Sequence, residues 1–95
     1  LAQRSPKHRV KALYFLAMCF KQKKQYDMAT EPLEKANSEL VSMDDVKKDV
    51  IYELGEIYEA MGNKEKAAAF YKQIYQVDIG LKDIAAKIER SHNQG

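Results

Sequence analysis

"LGEIYEAMGNKEKAAAFYKQI" (residues 54–74) places one glycine, Gly55, inside an apolar helical pattern and a second, Gly62, where that pattern stops. The stripe running into it, Val46, Val50, Ile51, Leu54, Ile57, Tyr58 and Met61, recurs at three- and four-residue steps, which is the helical period. Gly62-Asn63 ends the stripe as a helix C-terminus should end, because glycine tolerates positive φ. Residues 64–77 return to helical spacing with a small residue, Ala67, where a bulky one would be ordinary. Two helices joined by a tight turn, each with a small residue on its inner side, is the unit to look for elsewhere in the chain.

Upstream, Val10, Leu13, Leu16, Ala17 and Phe20 make a helix from about Lys7. The apolar run "ALYFLAMCF" (residues 12–20) is about half of what a membrane span requires and reads as a helix buried on most sides. "KQKKQ" (residues 21–25) is a polar connector. Residues 26–41 resume helical spacing through Tyr26, Ala29, Leu33, Ala36, Leu40 and Val41. Pro32 interrupts this segment, since it has no N–H for the carbonyl of Met28. It is expected either to kink the helix or to sit in a late-starting first turn, and a start near Asp27 with a distorted first turn is favoured. "SMDD" (residues 42–45) is a second connector, with Ser42 or Asp44 suited to cap the next helix. "LKDIAAKIER" (residues 81–90) reads as a short last helix and "SHNQG" as a frayed tail. Period-two alternation is absent, so the fold is all-α.

The composition agrees. The 95 residues are 45% hydrophobic and 32% charged, with two prolines and four glycines, which suits one folded helical domain. A net charge of +2 is too small to argue for nucleic acid or an anionic membrane. Cys19 is the only cysteine, so neither an intramolecular disulfide nor a multi-cysteine metal site is available. The chain begins at "LAQRSP" with no signal pattern and no initiator methionine, and is expected to be a piece of something longer. No residue speaks to a compartment beyond the cytoplasm as default.

A shift of 38 residues brings like onto like. Leu13 meets Ile51, Leu16 meets Leu54, Ala17 meets Gly55 and Phe20 meets Tyr58; Ala29 meets Ala67, Leu33 meets Tyr71 and Ala36 meets Ile74. Large faces large and small faces small in every pair but the last. Antiparallel helices approach closely only where a small side chain sits at the crossing. Ala17 and Gly55 supply that gap on the first helix of each pair, and Ala29 and Ala67 on the second.

This pattern resembles the tetratricopeptide repeat, a helix–turn–helix unit of about 34 residues that stacks into a superhelix. Residues 51–78 carry its motif through Ile51, Leu54-Gly55, Tyr58, Gly62, Ala67, Tyr71, Ile74 and Asp78. Residues 10–41 carry a weaker copy, with Lys24 in the place of the turn glycine and no terminal proline in either copy. The four extra residues of spacing fall at "SMDD". The resemblance implies antiparallel helix pairs stacked as a right-handed α-solenoid in a single domain, 1–95. Residues 1–6 are then the end of a preceding repeat or an N-terminal arm, 7–41 the first repeat, 44–78 the second, 81–92 a capping helix and 93–95 a tail.

Little in the chain suits chemistry. His8 and His92 lack a neighbouring ligand, Cys19 lies in an apolar run where it reads as a small hydrophobe, and the glycines serve packing and a turn. No enzyme activity, metal or cofactor is expected. The resemblance instead implies a concave groove lined by one side of each first helix. That side carries Lys11, Tyr14, Phe15, Met18 and Lys21 from the first repeat, Asp49, Tyr52, Glu53, Glu56 and Glu59 from the second, and Asp83, Lys87 and Arg90 from the last helix. The partner-binding set is Lys11, Tyr14, Phe15, Met18, Asp49, Tyr52, Glu53, Glu56 and Lys87. Asp49, Glu53 and Glu56 share one helix face, so they either solvate an exposed surface or steer a basic or mixed-charge peptide. The family's carboxylate-gripping clamp is matched here only by Lys87, with Tyr14, Met18, Glu53 and Asp83 at the other places. The expected function is a non-catalytic scaffold that binds a partner protein or peptide, at the C-terminal end of a longer array. Self-association through an exposed upstream face is the alternative; nucleic acid and membrane are not expected partners.

Overall fold

The computed structural model describes residues 6–40, 44–78, 80–81 and 83–93, with side chains only between 8 and 89. The expectations that fall on residues 1–5, Val41, Ser42, and the side chains of Arg90 and His92 lie outside them. Among the described residues there are five helices and no strand: α1 (Pro6–Gln22), α2 (Tyr26–Glu39), α3 (Asp45–Ala60), α4 (Lys64–Val77) and α5 (Ile84–Asn93). Each packs on its neighbours in chain order, α1 on α2, α2 on α3, α3 on α4 and α4 on α5.

The two turns repeat one another bond for bond. After α1, the N–H of Gln25 donates to Phe20 O at 2.9 Å and that of Lys24 to Lys21 O at 2.9 Å. After α3, Asn63 donates to Tyr58 O at 2.9 Å and Gly62 to Glu59 O at 3.0 Å, each atom 38 positions on. This is the six-to-one closure of a helix by a left-handed residue. Gly62 takes that conformation at φ 88° and Lys24 at φ 63°. Lys24 therefore holds the glycine's backbone as well as its place in the register.

The helix starts differ in how they are capped. Asp44 accepts from Lys47 N at 3.0 Å and Asn63 from Lys66 N at 3.2 Å, whereas Gln25 makes no side-chain cap. α2 begins at Tyr26, one residue before the expected start, and Pro32 lies inside it, buried, rather than in its first turn. α1 runs through Gln22, so the connector begins later than "KQKKQ" suggested, and Met61, expected in the core stripe, is 43% exposed. α5 starts at Ile84 and continues to Asn93, so Ser91–Asn93 are helix rather than tail.

The core runs through all five helices, from Val10, Ala17, Ala29 and Leu33 through Ile51, Leu54 and Ile57 to Tyr71, Ile74 and Ile84, all fully buried. At the α3–α4 crossing the Tyr71 ring lies on Gly55, where an added Cβ would stand 2.5 Å from Tyr71 Cε1. Beside it Tyr58 stacks on Phe70, ring centroids 5.8 Å apart, and donates to Glu34 across on α2. One expectation fails on α1. Among the described side chains of that helix only Val10 and Ala17 are fully buried, while Phe15, Leu16 and Cys19 are exposed. Among the described residues the helix is covered on one side, and Cys19 is not a core hydrophobe.

Candidate partner-binding groove

α1 and α3 hold equivalent positions, and between them lies a hollow of about 190 Å³ lined by Val10, Lys11, Tyr14, Val46, Asp49 and Val50. Its floor is apolar because Val10 and Val50 are fully buried. Lys11 and Asp49 stand on opposite walls, one from each helix. Tyr14 is half-buried, and its hydroxyl pKa is raised by desolvation and then by the charges of Glu53 and Asp49. It stays a neutral donor and acceptor over the physiological range.

The acids further along α3 are not an open stripe. Lys21 Nζ reaches across from α1 to Glu53 Oε1 at 2.7 Å and Glu56 Oε1 at 3.2 Å. Lys87 Nζ meets Glu56 Oε2 from α5 at 3.2 Å. Glu53 and Glu56 are thus half-buried and neutralised from within, which corrects the reading of both as exposed. Partial burial opposes the charged form of Lys21, yet its bonds to Glu53 and Glu56 prevail and raise its pKa. For Glu56 burial likewise acts upward, and the two lysines outweigh it and lower the pKa.

Lys87 itself is buried. Its Nζ lies 5.5 Å from the Tyr52 ring centroid and 5.7 Å from that of Tyr71, so two aromatic faces and one carboxylate replace its water. The hydroxyl of Tyr52 donates to Asp83 Oδ1 at 3.1 Å and that of Tyr71 to Glu59 Oε1 at 3.0 Å. Desolvation, with carboxylates close by, raises the pKa of both tyrosines. Tyr52, Glu53, Glu56, Asp83 and Lys87 therefore form one connected patch that ties α3 to α1 and α5.

The predicted set divides in three. Lys11, Tyr14 and Asp49 meet at the hollow. Tyr52, Glu53, Glu56 and Lys87 belong to the internal patch. Phe15 and Met18 line a separate open hollow with Cys19, Lys21, Gln22 and Tyr26. Val10, Val46 and Val50, read from sequence as core, are also the floor of the first hollow. The bridging role of Lys21 was not foreseen, although it was placed on the same side as the acids that it bridges. Among the described residues no cluster of His, Cys, Asp or Glu is arranged to hold a metal, and no helix is long and apolar enough to cross a membrane.

No curated protein and no solved structure matches the chain. A family model described as tetratricopeptide repeat does match, over residues 10–38 and 49–78, more than half of the length and one copy for each helix pair. With two antiparallel pairs turning through the same hydrogen bonds in the same register, the chain belongs to the tetratricopeptide repeat family.

Proposed function

We propose that this chain is a non-catalytic scaffold that binds a peptide or helix of a partner protein in the groove between α1 and α3. Its family is one of protein-interaction repeats. The observation that carries the groove is the hollow itself, with an apolar floor, a neutral tyrosine hydroxyl, and one cation and one anion on its walls. A site so built favours an amphipathic segment, with an apolar side chain entering the hollow and an acid toward Lys11, of basic or mixed charge elsewhere. A purely basic ligand loses its rationale, because Glu53 and Glu56 already hold Lys21 and Lys87. Self-association draws on a different surface, the outer side of α1, where like charges oppose it.

The test is affinity capture from lysate of the source cells with wild type beside Lys11→Glu/Tyr14→Ala, two changes at half-exposed or exposed positions. Circular dichroism first establishes that the variant keeps its helices. Proteins retained by wild type and lost by the variant place a ligand in the hollow. Equal retention by both removes the groove from consideration.

A further inference from the structure

Among the described residues the close helix packings join consecutive helices, so α1 reaches α3 through α2. The gap between α1 and α3, which the hollow occupies, is therefore not fixed by backbones in contact. Long side chains cross it instead. Lys21 Nζ on α1 meets Glu53 Oε1 at 2.7 Å and Glu56 Oε1 at 3.2 Å on α3. Lys21 stands two turns beyond Tyr14, about 10 Å along the helix axis. The gap is thus open where Val10, Lys11 and Tyr14 face Val46, Asp49 and Val50, and bridged near the turn into α2.

α1 has an ion pair near each end, and the two differ in their surroundings. Arg9 meets Glu39 of α2 at 3.0 Å with its own side chain 60% exposed, a pair that adds little. The Lys21 side chain is 33% exposed and that of Glu53 14%, so salt and solvent screen their attraction less. Breaking this bridge also strands a half-buried charge without its partner. Glu56 is held in turn by Lys87 of α5 at 3.2 Å, so the carboxylate that Lys21 meets is itself fixed. Tyr14 joins the bridge to the hollow: it lines the hollow, and its hydroxyl feels burial first and then the charge of Glu53.

We infer that Lys21 is a positioning residue for the groove. Its bridge to Glu53 and Glu56 pins α1 to α3 at the turn end, and so keeps the hollow two turns away at the width of one side chain. The hollow measures about 190 Å³, against roughly 150 Å³ for an apolar cavity that holds one benzene ring. That is room for one side chain of leucine or phenylalanine size, and a wider gap would lose this selectivity. Lys21 acts through the helix that carries Val10, Lys11 and Tyr14 rather than by touching a ligand. A ligand that fills the hollow and the bridge that narrows it favour the same spacing, so each strengthens the other. The benefit to a ligand rests on the groove reading above, whereas the hold on the α1–α3 gap does not.

The test uses the 95-residue chain without any ligand. Pairs of spin labels report the α1–α3 distance at each end by pulsed electron resonance, all at exposed positions. Native Cys19 with Ala60→Cys reads the bridged end; Ala12→Cys with Asp45→Cys, in a Cys19→Ser background, reads the hollow end. Lys21→Met keeps the aliphatic stem, removes the charge, and should leave the helical spectrum in place. It is expected to lengthen and broaden the distance at both ends. Glu53→Gln, which leaves Glu56, should do the same in smaller degree, and it carries the decision if Lys21→Met lowers helicity. Lys21→Glu should widen the gap further, and adding Glu53→Lys should restore the narrow distances, a rescue that lost packing alone would not show. The inference is overturned if the bridge variants match wild type at both ends, which leaves α2 alone setting the gap. It is overturned equally if only the bridged end responds, or if exchanging the charges restores nothing. Failure of the capture experiment would remove the groove reading and leave these distances as they are.

Discussion

The two helix pairs are one design executed with different residues. In α3–α4 the crossing is Gly55 under Tyr71, the turn is Gly62, and the second helix is capped by Asn63. In α1–α2 the same places hold Ala17 with Leu33, Lys24 and Gln25. Among the described residues the second pair has a helix on each side and the first has one on one side, and Leu54 is fully buried while Leu16 is not. Helix period and residue size suffice to specify the unit; the neighbour decides which of its apolar residues are core.

Gly55 is where the second pair should be easiest to break. Any side chain there meets the Tyr71 ring, whose hydroxyl is held by Glu59. Gly55→Leu is expected to cost about 3 kcal/mol or more through overpacking, read as a lowered midpoint in urea. Gly55→Ala should cost less, and adding Tyr71→Leu, which copies the first pair, should recover part of that loss. Additive losses across this double-mutant cycle would mean that the pairs solve the crossing independently.

Glu56 sharpens the comparison next, since its counterpart in the first pair is Met18. Glu56→Gln leaves Lys87 buried between two tyrosine rings without its carboxylate, and should cost about 1–3 kcal/mol. The sign with pH follows from the lowered pKa of Glu56. Its contribution is present above the unfolded value and is lost as pH falls through the lower folded value. Melts of wild type and Glu56→Gln should therefore converge on acidification. A variant that stays destabilised below that range would mean that packing, not charge, is at stake.

Much of this was legible in the residues, and the failures share a cause. The register, the turn glycine and its lysine stand-in, and the Asp44 cap are local, fixed by spacing and side-chain size. The exposure of Leu16 and Cys19 is not local, because an apolar residue looks the same whether or not a helix arrives to cover it. Nor is the state of Glu53 and Glu56: the lysines that neutralise them are 32, 35 and 31 positions away. Three acids on one face were visible, but the cations reaching over from α1 and α5 were not. For Pro32 the favoured start near Asp27 lies one residue from the observed Tyr26, and the proline itself is buried inside α2.

The turns allow a reciprocal exchange of smaller size. Lys24 and Gly62 share a left-handed backbone, and nothing lies within 4 Å of where a Gly62 side chain would begin, so only the backbone is at issue. Gly62→Ala should cost about 1 kcal/mol, and Lys24→Gly should gain up to about the same, less the added freedom of the unfolded chain. If Lys24→Gly destabilises, the lysine side chain contributes something that the turn alone does not require.

The smallest effect concerns the residue that follows. Gln25 and Asn63 have nearly the same backbone, φ −92° and ψ 71° against φ −91° and ψ 78°, yet only Asn63 caps its helix. The reason is length: the asparagine amide reaches Lys66 N at 3.2 Å, while glutamine, one methylene longer, makes no such bond. Gln25→Asn should therefore create at α2 the cap that α4 already has, adding about 0.5–1 kcal/mol, and Asn63→Ala should remove a similar amount. Because the backbone is already in place, the gain should come without any change in helix length, so thermal midpoints should move while far-ultraviolet ellipticity stays constant. A Gln25→Asn variant with an unchanged midpoint would show that the Met28 amide, which already donates to Gln25 O at 3.1 Å, gains nothing from a side-chain cap, and that matching backbones do not make the two starts equivalent.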